Sequence, residues 1–132
     1  VIFTGSATEA NNLVLCGIVE EALQKKELVH IITSSIEHES VHAPLMVLEK
    51  QKGVRITYVP VDRKGHISAA DVRAACTENT VLVSMIYVNN EIGTIQPIKE
   101  IGQVIRAYNK ERGVQIKLHI DSVQAALHVP LW

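Results

Sequence analysis

Apolar residues follow two alternating patterns along this chain. Short runs of β-branched and other apolar residues alternate with longer segments in which apolar residues recur every three or four positions. The first pattern favours strands, and the second is typical of helices that bury one face. The predicted strands cover residues 1–4, 29–33, 54–61, 80–88 and 115–120. The predicted helices cover residues 9–26, 39–52, 68–76 and 98–112, and residues 122–127 are expected to begin one more.

This alternation predicts an α/β fold, with a mainly parallel sheet and helices on both of its faces. The run at 80–88 is apolar on both sides of the pleat, so we expect it to be a central strand. The residues predicted to face inward from the first two helices are Leu13, Cys16, Gly17, Val19, Ala22, Leu23, Val41, Leu45, Val47 and Leu48.

Composition narrows the class of protein. The chain has 132 residues, of which 47% are hydrophobic and 20% charged, as in ordinary globular domains. A net charge of −1 does not favour binding to nucleic acid or to a membrane surface, and no run approaches the ~20 apolar residues of a membrane span. Cys16 and Cys76 show no disulfide framework and no metal-ligand spacing, so we predict a reducing, cytoplasmic location and no metal site.

The segment FTGSATEANNL places small and hydroxyl residues between the first predicted strand and the first helix. The free N–H groups at a helix start attract anions, and Ser6 and Thr8 add hydroxyl donors, so a phosphate site is one interpretation. The alternative is an ordinary capped helix, with Thr8 as the N-cap and Asn11 three residues later. The local pattern alone favours the capped helix, since it matches no nucleotide-binding motif.

Polar clusters also follow three later strands. They are IEHESV near residue 38, NNEIG near residue 90 and HIDSVQ near residue 121. In open α/β sheets, ligands bind beyond the carboxyl ends of the strands. All four clusters are expected at that edge, which indicates one shared site.

The segments FTGSATEANNL, SSIEHESV, VNNEIGTIQPI and HIDSVQAA, in this order and at this spacing, resemble the cysteine desulfurases and selenocysteine lyases. These enzymes are the NifS/IscS-like branch of the class V aminotransferases and use pyridoxal 5′-phosphate (PLP). The resemblance extends over essentially the whole chain. It implies part of the large domain of a PLP-dependent transferase of fold type I. Residues 1–132 would then be a single partial domain, truncated at both ends and without the small C-terminal domain.

The resemblance assigns roles to individual residues. It implies that Ala7 and Thr8 bind the PLP phosphate and that His38 lies against the pyridine ring and moves protons. Asp121 would face the ring nitrogen, which is expected because a carboxylate keeps that nitrogen protonated. Gln124 would hydrogen-bond the phenolic oxygen of PLP, and Asn90 would contact the cofactor or the substrate carboxylate. His38 is therefore the candidate catalytic residue.

Each of these residues also has an ordinary structural interpretation. His38 and Asp121 fit simple helix starts, and Asn90 and Gln124 fit loop or turn hydrogen bonding. The other five histidines match no role in the family and are interpreted as structural or surface residues.

The resemblance further implies that the parent enzyme converts L-cysteine, or L-selenocysteine, to L-alanine. The sulfur passes through an enzyme persulfide to an acceptor protein, as in iron–sulfur cluster biogenesis. The family lysine that carries PLP and the catalytic cysteine fall beyond Trp132, so we expect this chain to be inactive alone. Missing strands would leave open sheet edges, which predicts a homodimer or other self-association. Another class V relative, or a non-catalytic α/β binding module, remains an alternative.

Overall fold

The computed structural model describes residues 1–130 and contains eight regular elements that alternate between helix and strand. They are α1 (Ala7–Leu23), β1 (Val29–Ser34), α2 (Glu39–Leu48), β2 (Val54–Val59), α3 (Ala69–Ala75), β3 (Thr80–Ile86), α4 (Ile98–Arg112) and β4 (Lys117–Asp121). No helix in this described part combines the length and the hydrophobicity needed to cross a membrane.

The four strands form one parallel sheet in the order β2-β1-β3-β4. Every residue of β1 and of β3 is buried, whereas β2 and β4 at the two sides contain exposed or half-buried positions. The apolar run that begins at Thr80 is therefore a central strand, as its sequence predicts.

Two hydrophobic cores lie on the two faces of this sheet. Helices α1 and α2 pack together over one face, where Leu15, Val41 and Leu45 are fully buried. Helices α3 and α4 pack together over the other face, where Val72 and Ile101 are fully buried. The predicted parallel α/β fold with helices on both faces is confirmed.

Helix α1 begins earlier than the sequence suggested. Ser6, in extended backbone conformation, is the N-cap, and its hydroxyl accepts a hydrogen bond from the Glu9 N–H at 3.1 Å. The Glu9 carboxylate accepts the N–H of Gly5 at 2.6 Å. The prediction of Thr8 as the cap is wrong because Ser6 and Glu9 form a variant of the serine–glutamate capping box two residues upstream.

Three other sequence predictions are also wrong. Residues 1–4 form no strand, and Val1, Ile2 and Phe3 are exposed, because none of the described strands pairs with them. Leu13, Gly17 and Val47, all predicted to face inward, are exposed, since each lies on the solvent side of its helix. Residues 122–127 form consecutive turns instead of a helix, and Leu127 adopts a positive φ of 69°.

The remaining elements begin and end within a few residues of their predicted bounds. Helix α4 has the bounds predicted for it: it follows Pro97 and ends at Gly113, whose φ of 65° is left-handed. Proline suits a helix start and glycine a left-handed helix end, which explains why this element was easiest to delimit.

Candidate functional site

The direction in which successive strands are added to the sheet reverses between β1 and β3, although all four strands are parallel. The chain proceeds from β1 to β2 on one side, and then returns to place β3 and β4 on the other side. Loops that leave β1 and β3 therefore run to opposite sides and open a crevice at the carboxyl edge of the sheet, which is the usual ligand position in such folds.

A cavity of about 140 Å³ lies at this edge, beside the N-terminus of α1. Its lining residues are Ala7, Thr8, His38, Ser40, Ile86, Val88, Asn90, Asp121, Val123 and Gln124. All six residues singled out from the sequence as cofactor-binding are among them, and none of the other five histidines is among the described residues that line it. The structure thus brings together residues separated by more than a hundred positions in sequence, while their roles stay predictions.

The N-terminus of α1 supplies hydrogen-bond donors at one end of the cavity. The N–H groups of Ala7 and Thr8 have no acceptor among residues 1–130, because Ser6 and Glu9 satisfy only the neighbouring groups. These free donors, the helix dipole and the Thr8 hydroxyl suit an anionic group.

Asp121 lies at the end of β4 and is 6% exposed. One carboxylate oxygen accepts a hydrogen bond from the Asn11 side-chain amide at 2.9 Å, and the other accepts one from the Val123 N–H at 3.1 Å. Because each carboxylate oxygen accepts a hydrogen bond from a donor of the chain itself, the carboxylate has a fixed orientation at the wall of the cavity.

His38 is the N-cap of α2, and its ring is anchored on one side. The Ser40 N–H donates to Nδ1 at 3.1 Å, and the Ser40 hydroxyl lies 2.8 Å from the same nitrogen. A backbone N–H can only donate, so Nδ1 is an acceptor and the neutral ring carries its proton on Nε2.

The loop after β3 is tied to the loop after β1. The Asn89 amide donates to the Ile36 carbonyl at 2.9 Å, and its Oδ1 accepts the N–H groups of Glu91 and Ile92. This buried asparagine holds the exposed Asn90 at the rim of the cavity. Asn89 therefore fixes the conformation of the loop that follows β3.

Sequence reasoning missed three residues of this region. Asn11 and Ser40 are buried and hydrogen-bonded to each other at 2.9 Å. The signal for Asn11 was present, since its spacing of four residues from Leu15 places it on the buried face of α1.

The third missed residue is Glu37, beside His38. Its carboxylate accepts hydrogen bonds from the Ser34 hydroxyl and from the Ile86 N–H, while its second oxygen is buried without a partner in the described part of the chain. Burial raises the pKa of Glu37 to about 7, and the nearby charge of Asp121 adds to the increase. No sequence pattern distinguishes this glutamate from a surface residue.

Comparisons with known proteins show which sequences and structures this chain resembles. The sequence model of the family described as "Aminotransferase class-V" matches residues 1–131. The chain is 44% identical over 131 residues to "Cysteine desulfurase IscS" of Clostridium botulinum (strain Kyoto / Type A2), covering 99% of this chain and 31% of that protein. It is 42% identical over 140 residues to "Selenocysteine lyase" of Xenopus tropicalis, covering 95% of this chain and 32% of that protein.

A solved structure shares the fold. It is described as "SspA in complex with cysteine", and it superposes with a TM-score of 0.84 at 40% sequence identity. The match covers 94% of this chain and 33% of that protein. The chain therefore spans about a third of the length of the relatives it matches.

Proposed function

This chain belongs to the class-V aminotransferase family, and we propose on that basis that it is part of a PLP-dependent cysteine desulfurase. The full protein would act on free L-cysteine, release L-alanine and pass the sulfur to an acceptor protein in the cytoplasm. The observation that carries the proposal is the single cavity lined by Thr8, His38, Asp121 and Gln124.

The residues present fit a phosphorylated pyridine. The free N–H groups of Ala7 and Thr8 suit a phosphate at one end of the cavity, and the buried carboxylate of Asp121 suits a protonated ring nitrogen. Bound PLP would supply an electron-withdrawing ring that stabilises negative charge developing on the substrate. Ile86 and Val88 add an apolar surface between these polar groups.

We assign His38 the role of a proton carrier. Its Nδ1 is occupied by Ser40, so Nε2 is the ring atom available for proton transfer. Asn90 and Gln124 are exposed amides at the rim, and each offers both donors and acceptors to the cofactor or the substrate carboxylate. Asp121 would hold its charge toward the ring while it remains fixed by Asn11 and Val123.

We further propose that this chain alone does not turn over cysteine. Neither a lysine nor a cysteine is among the described residues that line the cavity, and the chemistry needs both an amine that carries the cofactor and a thiolate that accepts sulfur. The similarity to the Xenopus tropicalis protein supports a second candidate, selenocysteine lyase, for the full protein.

Binding of pyridoxine 5′-phosphate tests the cofactor assignment. This alcohol keeps the ring nitrogen and the phosphate, and it lacks the aldehyde that would react with surface lysines. We expect the chain to bind it more tightly than pyridoxine or inorganic phosphate, and we expect Thr8→Ala and Asp121→Ala to weaken that binding in a fluorescence titration. Ser68→Ala, which removes the hydroxyl cap of α3 outside the cavity, is the control.

The outcomes separate the assignments. Equal affinity for pyridoxine 5′-phosphate in wild type, Thr8→Ala and Asp121→Ala would show that the cavity is not a cofactor site. Incubation with PLP and L-cysteine tests turnover separately, since alanine formed above a protein-free control would contradict the proposed inactivity of this chain.

A further inference from the structure

Asn11 occupies an unusual position for an asparagine. It lies inside helix α1 and is 4% exposed, on the face that packs against the sheet and α2. Its side-chain nitrogen makes two hydrogen bonds, to Asp121 Oδ2 and to Ser40 Oγ, both at 2.9 Å. The partners lie on β4 and α2, so one amide joins three elements around the cavity.

The chemistry of the partners determines how this amide is oriented. An ionised carboxylate has no proton to donate, so the NH₂ group of Asn11 must face Asp121. The NH₂ group has two hydrogens, and the two acceptors use both of them. The NH₂ group of Asn11 therefore has no hydrogen left to donate to another partner.

The hydrogen-bonded path continues to His38. Because Ser40 Oγ accepts from Asn11 and Nδ1 of His38 carries no hydrogen, the Ser40 hydroxyl directs its proton to Nδ1, 2.8 Å away. A continuous set of hydrogen bonds thus connects Asp121 to His38 through Asn11 and Ser40. All four residues lie at or beside one cavity.

We propose that Asn11 is a positioning residue that fixes Asp121 and, through Ser40, His38 relative to each other. This inference rests on the proposed function, in which Asp121 holds the ring nitrogen and His38 carries the proton. Asp121 and His38 come from different elements. Asn11 donates one hydrogen bond to Asp121 directly and one to Ser40, which contacts His38. Asn11 itself contacts neither cofactor nor substrate, since it does not line the cavity.

The first test needs no cofactor. In a ¹H–¹⁵N spectrum of the free chain, we expect the two side-chain amide protons of Asn11 to be separately resolved and protected from solvent exchange. Ser40→Ala should shift one of them and Asp121→Ala the other. The amide of Asn12, which donates only to the Thr8 carbonyl of its own helix, is the internal control and should not respond. An Asn11 pair that exchanges freely or ignores both substitutions would overturn the inference.

The second test measures what this arrangement does for binding. We expect Asn11→Ala to weaken pyridoxine 5′-phosphate about tenfold, since it removes a hydrogen bond to a charged group. Binding of inorganic phosphate, measured by ³¹P NMR, should remain unchanged because the donors at Ala7 and Thr8 are intact. Asn12→Ala should alter neither affinity.

These results distinguish a positioning role from a structural one. If Asn11→Ala weakens inorganic phosphate as much as pyridoxine 5′-phosphate, the residue merely supports helix α1 and the inference fails. If the wild-type chain binds no pyridoxine 5′-phosphate, the proposed function fails, whereas the amide spectrum still decides the hydrogen-bonded arrangement by itself. Ser40→Ala provides a second variant, expected to weaken pyridoxine 5′-phosphate less than Asn11→Ala because it breaks only the His38 branch.

Discussion

Replacing Glu37 with glutamine should change how stability depends on pH. The carboxylate of Glu37 is buried, one of its oxygens lacks a partner among residues 1–130, and its pKa is raised to about 7. Glutamine keeps the shape of the side chain and an oxygen that can accept from Ser34 and from the Ile86 N–H. The substitution therefore removes the titration and preserves most of the contacts.

The magnitude follows from linkage between protonation and folding. The ordinary pKa of the carboxyl is 4.5 and its folded value is about 7, so the folded state keeps a proton that the unfolded state releases between these values. Stability that is fully present below pH 4.5 is lost as pH rises to 7. A difference of about 2.5 units at 1.36 kcal/mol each corresponds to roughly 3 kcal/mol of unfolding free energy.

Urea unfolding followed by circular dichroism, from pH 4.5 to 8, measures this effect. The quantity of interest is the unfolding free energy of Glu37→Gln minus that of wild type, which should rise by roughly 3 kcal/mol across the range. Burial lowers the pKa values of His30 and His119, but both histidines are present in both proteins, so their contributions cancel in the difference. Glu91→Gln, at an exposed loop position, is the matched control.

A difference that stays constant with pH would refute the assignment of a raised pKa to Glu37. A difference that falls with rising pH would show that the folded state prefers the charged carboxylate. For Glu91→Gln, the difference in unfolding free energy from wild type should stay constant with pH. A pH-dependent difference in that control would point to a general charge effect instead of burial.

Two further predictions concern packing and backbone conformation. Leu15→Ala should cost about 2–5 kcal/mol of unfolding free energy because Leu15 is fully buried. Leu13→Ala, at a residue that is 53% exposed, should cost far less. Similar losses of unfolding free energy in the two variants, measured by urea unfolding, would contradict the packing described for α1. Gly65→Ala and Gly93→Ala should each cost about 1 kcal/mol for a positive φ, and Gly65→Ala more because its new methyl group would overlap the Ile92 side chain. Thermal unfolding that ranks Gly93→Ala as the more damaging would refute this comparison.

The sequence predicts those elements whose local signals agree with their tertiary setting. Helix α4 has apolar spacing, a leading Pro97 and a closing Gly113, and its bounds are as predicted. Residues 1–4 have the composition of a strand, but strand formation requires a hydrogen-bonded neighbour, which composition cannot reveal. Leu13 was misplaced because a wide helical face includes positions that the partner helix does not cover.

In the candidate site, too, some residues could be predicted from the sequence and others could not. His38, Asn90 and Asp121 lie at or after strand ends, so topology alone brings them to one edge, whereas Ala7 comes from the N-terminus of α1, which none of the described strands precedes. The residues behind them could not be assigned from sequence. The hydrogen bond between Asn11 and Asp121 joins positions 110 residues apart, and the raised pKa of Glu37 depends on packing that no local pattern encodes.

That long-range hydrogen bond has a consequence for how the chain acquires its binding capacity. The donor belongs to the first helix and the acceptor to the last strand, so the pocket cannot assemble until β4 has been synthesised and docked beside β3. Ligand capture during refolding would therefore report that all four strands, β1 to β4, have come together. A partly synthesised chain that lacks β4 would have the free N–H groups at the start of α1 without the carboxylate of Asp121.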